Sequence, residues 1–192
     1  MNDVIFETVV TTVANDGMPH VAPMGVRYEA DQVVLMPFRP SVTLDNIVAN
    51  GHAVLNLIVD TRVFAGCVTG RKAWPTLPVE RITGVRLASA IGHVELRLAS
   101  SNDDAQRPVL RLARVHAVTH APFIGFNRAQ AAVVEGAVLV SRLHMLSVAK
   151  IETEMNYLQI AIDMTAGPAE REAWGWLREA VARQRAATEG VS

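Results

Sequence analysis

The chain of 192 residues contains a single cysteine, Cys67, so it forms no internal disulfide, and no cysteine–histidine spacing marks a metal centre. Within F-A-G-C-V the thiol reads as small core packing, and the lack of disulfides fits a reducing, cytoplasmic setting. Aromatic residues make up only 5% and charged residues 19%, with a net charge of −1. No global field is available to attract nucleic acid or an anionic membrane. No apolar run is long enough to span a bilayer, and the first residues carry Asp3 and Glu7 where a secretory leader would be basic, so neither segment is expected. No G-x-G-x-x-G follows the first apolar segment, which disfavours a dinucleotide Rossmann site. The histidines His20, His52, His93, His116, His120 and His144 lack helical metal-site spacing, and no serine or cysteine stands in a nucleophile elbow. No catalytic side chain is assigned on these grounds.

Half of the chain is apolar, enough for a substantial core. Residues 4–14 are rich in β-branched side chains and read as a strand. Asn15-Asp16-Gly17 is a hairpin turn, because these residues tolerate positive φ. A second strand, 20–29, contains Pro23, which marks an edge or a bulge, and a third covers 33–38. Ser41 is suited to cap a helix over 42–50 that ends at Asn50-Gly51. A strand over 53–59 carries Asn56 in its middle, and 60–69 is a short helix or loop. Residues 71–83, with two prolines and Trp74, read as a long surface excursion. Strands over 84–99 and 109–118 flank a polar turn at 100–104, and the arginines from Arg107 to Arg114 read as a solvated face. Three helices follow: from an Asn127 cap to about 145, over 148–164, and from Pro168 to about 187, with Ala173, Trp176 and Leu177 on the stripe of the last. Strands first and helices last argue for a β-barrel or sheet with a helical appendage.

The chain is organised around residues 18–60, and within them around the polar loop from Pro37 to Asn46. A phosphate monoester needs donors and fixed positive charge. Arg39 offers a fork of N–H groups, Ser41 and Thr43 hydroxyls, Asn46 an amide, and the helix start backbone N–H groups. Two readings fit: a phosphate cradle, or an ordinary capped helix after a strand. Asn56, between Leu55 and Leu57, needs partners, which are either backbone groups or a ligand. Glu135, among small apolar neighbours, calls for an ion pair with Arg142 or Arg128.

The segments F-E-T-V-V-T-T-V-A-N-D-G (6–17), A-P-M-G-V (22–26), P-F-R-P-S-V-T-L-D-N (37–46), F-N-R-A-Q-A-A-V-V-E-G-A-V-L-V-S-R-L (126–143) and T-A-G-P-A-E-R-E-A (165–173) together resemble the DUF447 family of FMN-binding split-barrel proteins. Some of its members are labelled as linked to the tetrahydromethanopterin C1-transfer pathway. The resemblance implies a mainly β fold with α: a six-stranded FMN-binding split β-barrel over 1–121, then a C-terminal helical lobe over 122–192. It implies FMN at a homodimer seam, with Ser41, Thr43 and Asn46 on the phosphate side. Ala22, Pro23, Met24 and Gly25 would lie along the ring, with Val26 beside it, and Asn56 on the neighbouring strand. Asn127 and Arg128 would complete the pocket or hold the lobe. The function implied is an FMN-dependent oxidoreductase resembling flavin reductases, with a small-molecule substrate or reduced nicotinamide as partner. The alternative is a non-catalytic flavin-binding or assembly module acting through the helical lobe.

Overall fold

The computed structural model describes residues 4–189. In chain order the elements are β1 (Phe6–Val13), β2 (Pro19–Glu29), β3 (Gln32–Leu35), α1 (Val42–Asn50), β4 (His52–Leu57), α2 (Arg62–Val68), β5 (Thr76–Pro78), β6 (Val85–Leu87), β7 (Gly92–Asn102), β8 (Val109–Thr119), α3 (Arg128–Ser141), α4 (Val148–Thr165) and α5 (Pro168–Glu189). Six strands close an antiparallel barrel in the order β1-β2-β3-β8-β7-β4, and β5 pairs with β6 in a separate small sheet. The chain divides into two compact units. One holds the residues up to Ile58 together with Ala73–Phe123; the other holds Val59–Lys72 and the chain from Ile124 onward. The short helix α2, on the barrel side of the 121/122 boundary expected from sequence, thus groups with the C-terminal helices.

Period-two alternation sorts the barrel residues. Val10, Val26, Val33, Leu35, Leu55, Val94, Leu96, Leu110 and Leu112 point inward, and Leu44 and Ile47 of α1 join the same core. The opposite face of β1, β4 and β7 carries Val9, Thr11, Val54, Asn56, His93 and Glu95, which lie beside one another in register. All six are buried although they point away from the core, because residues 73–90 form a strap across this face. The Thr11 hydroxyl donates to the carbonyl of Val85, and the N–H of Leu87 donates to Asn56 Oδ1 at 2.7 Å. The expected surface excursion is therefore the near part of a pinned cover.

The expected strand over 84–99 is two strands. Between β6 and β7 the chain turns, with Ala90 N–H donating to Leu87 O and Ile91 N–H to Leu57 O. The sequence there, L-A-S-A-I-G, has no glycine, proline, asparagine or aspartate until Gly92 and only Ser89 as a weak turn former, so hydrophobic periodicity runs straight through it. At its other end β7 runs on through the expected turn as far as Asn102, absorbing register shifts at Glu95/Leu96 and Leu98/Ser100. β3 stops at Leu35 and leaves the loop 36–41 outside the sheet.

In the helical unit, Asn127 Oδ1 accepts the N–H groups of Ala129 and Gln130 as the cap of α3. Gly136 sits where a Cβ would come within 2.8 Å of Trp174 Cζ3 and 3.1 Å of Leu177 Cδ1, so its missing side chain admits the indole. The buried tryptophan of α5 is Trp174, beside Ala173 and Leu177. Trp176, expected on that stripe, instead lies under the Arg71 guanidinium, 4.5 Å from its ring centroid. Glu135 is exposed on the outward side of α3, so the ion pair expected from its apolar neighbours is not required.

Candidate functional site

The loop from Pro37 leads into α1 through Ser41, whose backbone is extended (φ −147°, ψ 114°) and whose Oγ accepts the Leu44 N–H at 3.2 Å. This is the expected cap. It leaves the N–H groups of Val42 and Thr43 at the helix start with no acceptor inside the helix. Gly51 closes the other end with φ 73°, the left-handed conformation expected of that residue.

The remaining loop residues depart from the expected cradle. Arg39 turns to the β7–β8 turn: its Nη2 lies 2.5 Å from Asp103 Oδ1, and its Nε donates to Asp104 O at 3.4 Å. A carboxylate on that exposed turn is its partner. Thr43 and Asn46 are helical and only 1% and 8% exposed, and the Asn46 amide donates to the Thr12 hydroxyl at 2.9 Å. Both were expected on an open loop; the inward face of a short helix holds them instead. Two other arginines border the loop, and sequence reasoning passed over them. Arg27 Nη1 lies 3.0 Å from Met36 Sδ, and Arg107 Nε donates to Met36 O at 3.2 Å. The sequence signal for Arg27 was its place between inward Val26 and Tyr28; Arg107 was hidden in a cluster read as solvated.

On β2, the ladder to β3 runs only from Val26 to Glu29, so Ala22, Pro23, Met24 and Gly25 have a strand neighbour on one side alone, β1. That is where a residue without an N–H fits, which accounts for Pro23. Ala22, Pro23 and Met24 are half-buried and Gly25 is exposed. Met24 packs partly on the core, and its carbonyl accepts the Thr8 hydroxyl at 2.9 Å. A Cβ on Gly25 would meet Ile5 Cγ2 at 2.8 Å, so glycine lets that chain pass close. Val26, expected beside a ring, is fully buried in the barrel core. Asn56 is 0% exposed, and β1 and the strap share its bonding: Nδ2 donates to Val9 O and Thr11 Oγ1 of β1, each at 3.1 Å, and Oδ1 accepts from Leu87 of the strap. The structure thus brings together Ser41 and the start of α1, and separately the one-sided stretch of β2. It gives Arg39 and Asn56 other partners.

The strapped face holds a second polar group. Glu95, fully buried, accepts N–H groups from Glu80 (3.1 Å), Arg81 (2.7 Å) and Ile82 (2.9 Å). Burial pushes its carboxyl up, but the three backbone donors together hold it below the ordinary carboxylate value. His93 stacks on exposed His120, with ring centroids 5.0 Å apart and Nδ1 to Nε2 2.8 Å. His93 Nε2 is buried with no hydrogen-bond partner among the described residues and lies 3.7 Å from Glu95 Oε1. Burial lowers the pKa of His93, His120 and Arg86 lower it further, and Glu95 only partly opposes them. Partial desolvation, then Arg86, lowers that of His120. A depressed histidine stays neutral in the fold while the unfolded chain takes up protons near pH 6.5. Stability is therefore full above about pH 6.5 and falls below it, and Glu95 adds a further loss as pH falls below about 4.5. The melting temperature should decline between pH 7.5 and 5.5, and His93→Gln should flatten that decline; a flat wild-type profile would contradict the arrangement.

Among the described residues, no group of three or more His, Cys, Asp or Glu side chains is placed to hold a metal ion, and no helix is long and apolar enough to cross a membrane.

Against known proteins, the sequence matches the N-terminal domain of the family described as protein of unknown function (DUF447) over residues 6–121, and the C-terminal DUF447 domain over residues 127–179. Comparison with curated proteins gives no match. Among solved structures, the FMN-bound DUF447 protein of Methanosarcina mazei has a TM-score of 0.79 at 21% identity, covering 92% of this chain and 94% of that one. Flavoredoxin from Methanosarcina acetivorans has a TM-score of 0.52 at 17% identity, covering 65% and 80% of the two chains. Nitrilotriacetate monooxygenase component B from Bacillus cereus has 0.52 at 16%, covering 68% and 78%. At such identities these likenesses establish a shared barrel fold, and in the first case a shared helical region. With both domains matched in order across most of its length, the chain belongs to the DUF447 family.

Proposed function

We propose that this protein binds FMN and uses it as a homodimeric oxidoreductase acting on a small molecule. One observation carries the reading: a helix start with two N–H groups that no helix carbonyl accepts, in a barrel whose β2 offers a stretch with a strand on one side only. Support comes from the FMN-bound family member, which spans nearly this whole chain, and from the flavoredoxin likeness.

The residues fit the group. A flavin ring edge is a row of hydrogen-bond donors and acceptors, and a one-sided strand presents backbone groups that can match them. Ala22, Pro23 and Gly25 are small enough for a flat ring to approach, and half-buried Met24 supplies an apolar surface. The phosphate would meet the N–H groups of Val42 and Thr43, with the Ser41 hydroxyl at its flank; the helix dipole favours negative charge there. Asn46 holds α1 to β1 through Thr12 and thereby fixes the position of those donors. When bound, the flavin supplies the electron chemistry by accepting or delivering a hydride. The chain's part is to hold and orient it, and exposed Val4, Ile5 and Phe6 give a second copy an apolar surface beside β2.

The test is Val42→Pro. Proline is accepted at the first helical position, and extended Ser41 suits a following proline, so the helix should persist without one donor. A charge-assisted hydrogen bond is worth about 1.5–3 kcal/mol, so FMN should bind on the order of tenfold or more weakly while riboflavin, which lacks the phosphate, binds unchanged. Equal FMN affinity in variant and wild type would remove α1 from the site. Anaerobic reduction of the bound flavin by NADH or NADPH tests the oxidoreductase part: a yellow protein that neither donor reduces is a flavin holder.

A further inference from the structure

The arginines around the loop 36–41 fall into two kinds. Arg39 is held by Asp103 and Arg111 by Glu29, at 2.5 and 3.0 Å. Arg27 and Arg107 make no ion pair among the described residues. Both are half-buried, and both are anchored to Met36. The anchors are neutral: for Arg27 a thioether sulfur, a weak acceptor, and for Arg107 a single carbonyl. The Arg107 guanidinium also lies 4.5 Å over the ring centroid of Phe38, a residue that is 66% exposed.

Two partly desolvated cations are thus drawn to one residue without an anion between them. Each guanidinium carries five N–H donors, and the contacts described engage one of each. Strand register fixes the placement of Arg27. Arg27 stands opposite Val34, and Val34 opposite Arg111, so Arg27 occupies a set position on the outward face of a three-strand ladder. Arg111 drops out because Glu29 occupies it. The nearest acidic turn is also engaged: Asp103 holds Arg39, and the Asp104 carboxylate accepts the N–H groups of Gln106 and Arg107.

We propose that Arg27 and Arg107 form an oxyanion site that takes a phosphate or carboxylate group, with Phe38 as its apolar border. Such a group would satisfy both forks, and Arg is the side chain whose geometry matches these anions. Two sources share this chemistry: the phosphate tail of the flavin, and the anionic group of a second reactant. The site stands on the arginine geometry and not on the flavin reading.

The test uses the full chain and the variants R27Q/R107Q and R27K/R107K, with FMN, riboflavin and inorganic pyrophosphate as probes. Wild type should bind pyrophosphate, and R27Q/R107Q should bind it about tenfold or more weakly, with the lysine pair in between. If the flavin tail is the source, FMN affinity falls alongside, riboflavin affinity does not, and pyrophosphate competes with FMN. If a second reactant is the source, FMN affinity holds, and pyrophosphate binds the FMN-loaded wild type but not the loaded glutamine variant. Equal pyrophosphate and FMN affinities in wild type and R27Q/R107Q overturn the site. So do equal losses of FMN and riboflavin with pyrophosphate unchanged, which would be packing and not charge. A chain that binds no flavin at all defeats the flavin reading, and the pyrophosphate comparison still decides this one.

Discussion

Glu95→Ala should lower the melting temperature by on the order of 10 °C. The wild-type carboxylate lies under the strap with no solvent exposure and takes the N–H groups of three successive residues, 80–82. Truncation leaves those donors without their acceptor. Breaking a buried charged arrangement from one side costs about 3–5 kcal/mol, and a chain of this size loses about 2–4 °C per kcal/mol. Glu95→Gln should recover only part of the loss, since its amide nitrogen is a donor facing donors. The strap should also loosen, so that trypsin cuts after exposed Arg81 sooner than in wild type. A variant within about 2 °C of wild type and equally resistant would show that the strap is held by something other than this carboxylate.

Asn56→Ala should be the next most damaging change, at about 2–4 kcal/mol, because it orphans the buried Leu87 N–H and removes the donor to Val9 O. The result separates two roles for this residue. With Asn56 pinning the strap, urea unfolding shifts to lower concentration while the FMN affinity of the folded fraction stays at the wild-type value. The opposite pattern, weakened FMN with unaltered unfolding, would return Asn56 to the cofactor pocket that the family resemblance suggested.

These two residues mark where reading the sequence stops short. An amide or a carboxylate in an apolar strand announces that it needs partners, but not which. Asn56 finds Leu87, 31 residues on, and Glu95 reaches back 13 to 15 residues. Their partners are backbone groups of a strap whose own residues have no distinctive pattern. The same holds for the tryptophans of α5. Helical spacing put Trp176 on the apolar stripe, yet Trp174 is buried, because Gly136 on another helix left room for it. The turn between β6 and β7 was invisible for a different reason: no glycine, proline or asparagine precedes Gly92 there, so hydrophobic periodicity had nothing to interrupt it.

The sequence by itself determined what depends on near neighbours. The β-branched run made β1, Asn15-Asp16-Gly17 its turn, Ser41 and Asn127 two helix caps, and Ala166-Gly167-Pro168 the break between α4 and α5. The motifs and their order carried the family. Only the tertiary structure decided which charges are already answered. Arg39, the cation that spacing favoured for a phosphate, meets Asp103 from 64 positions away, and Arg111 meets Glu29 from 82. Arg27 and Arg107 are left facing Met36. Coulombic attraction acts through space, and chain closure alone sets which opposite charges arrive within reach of one another.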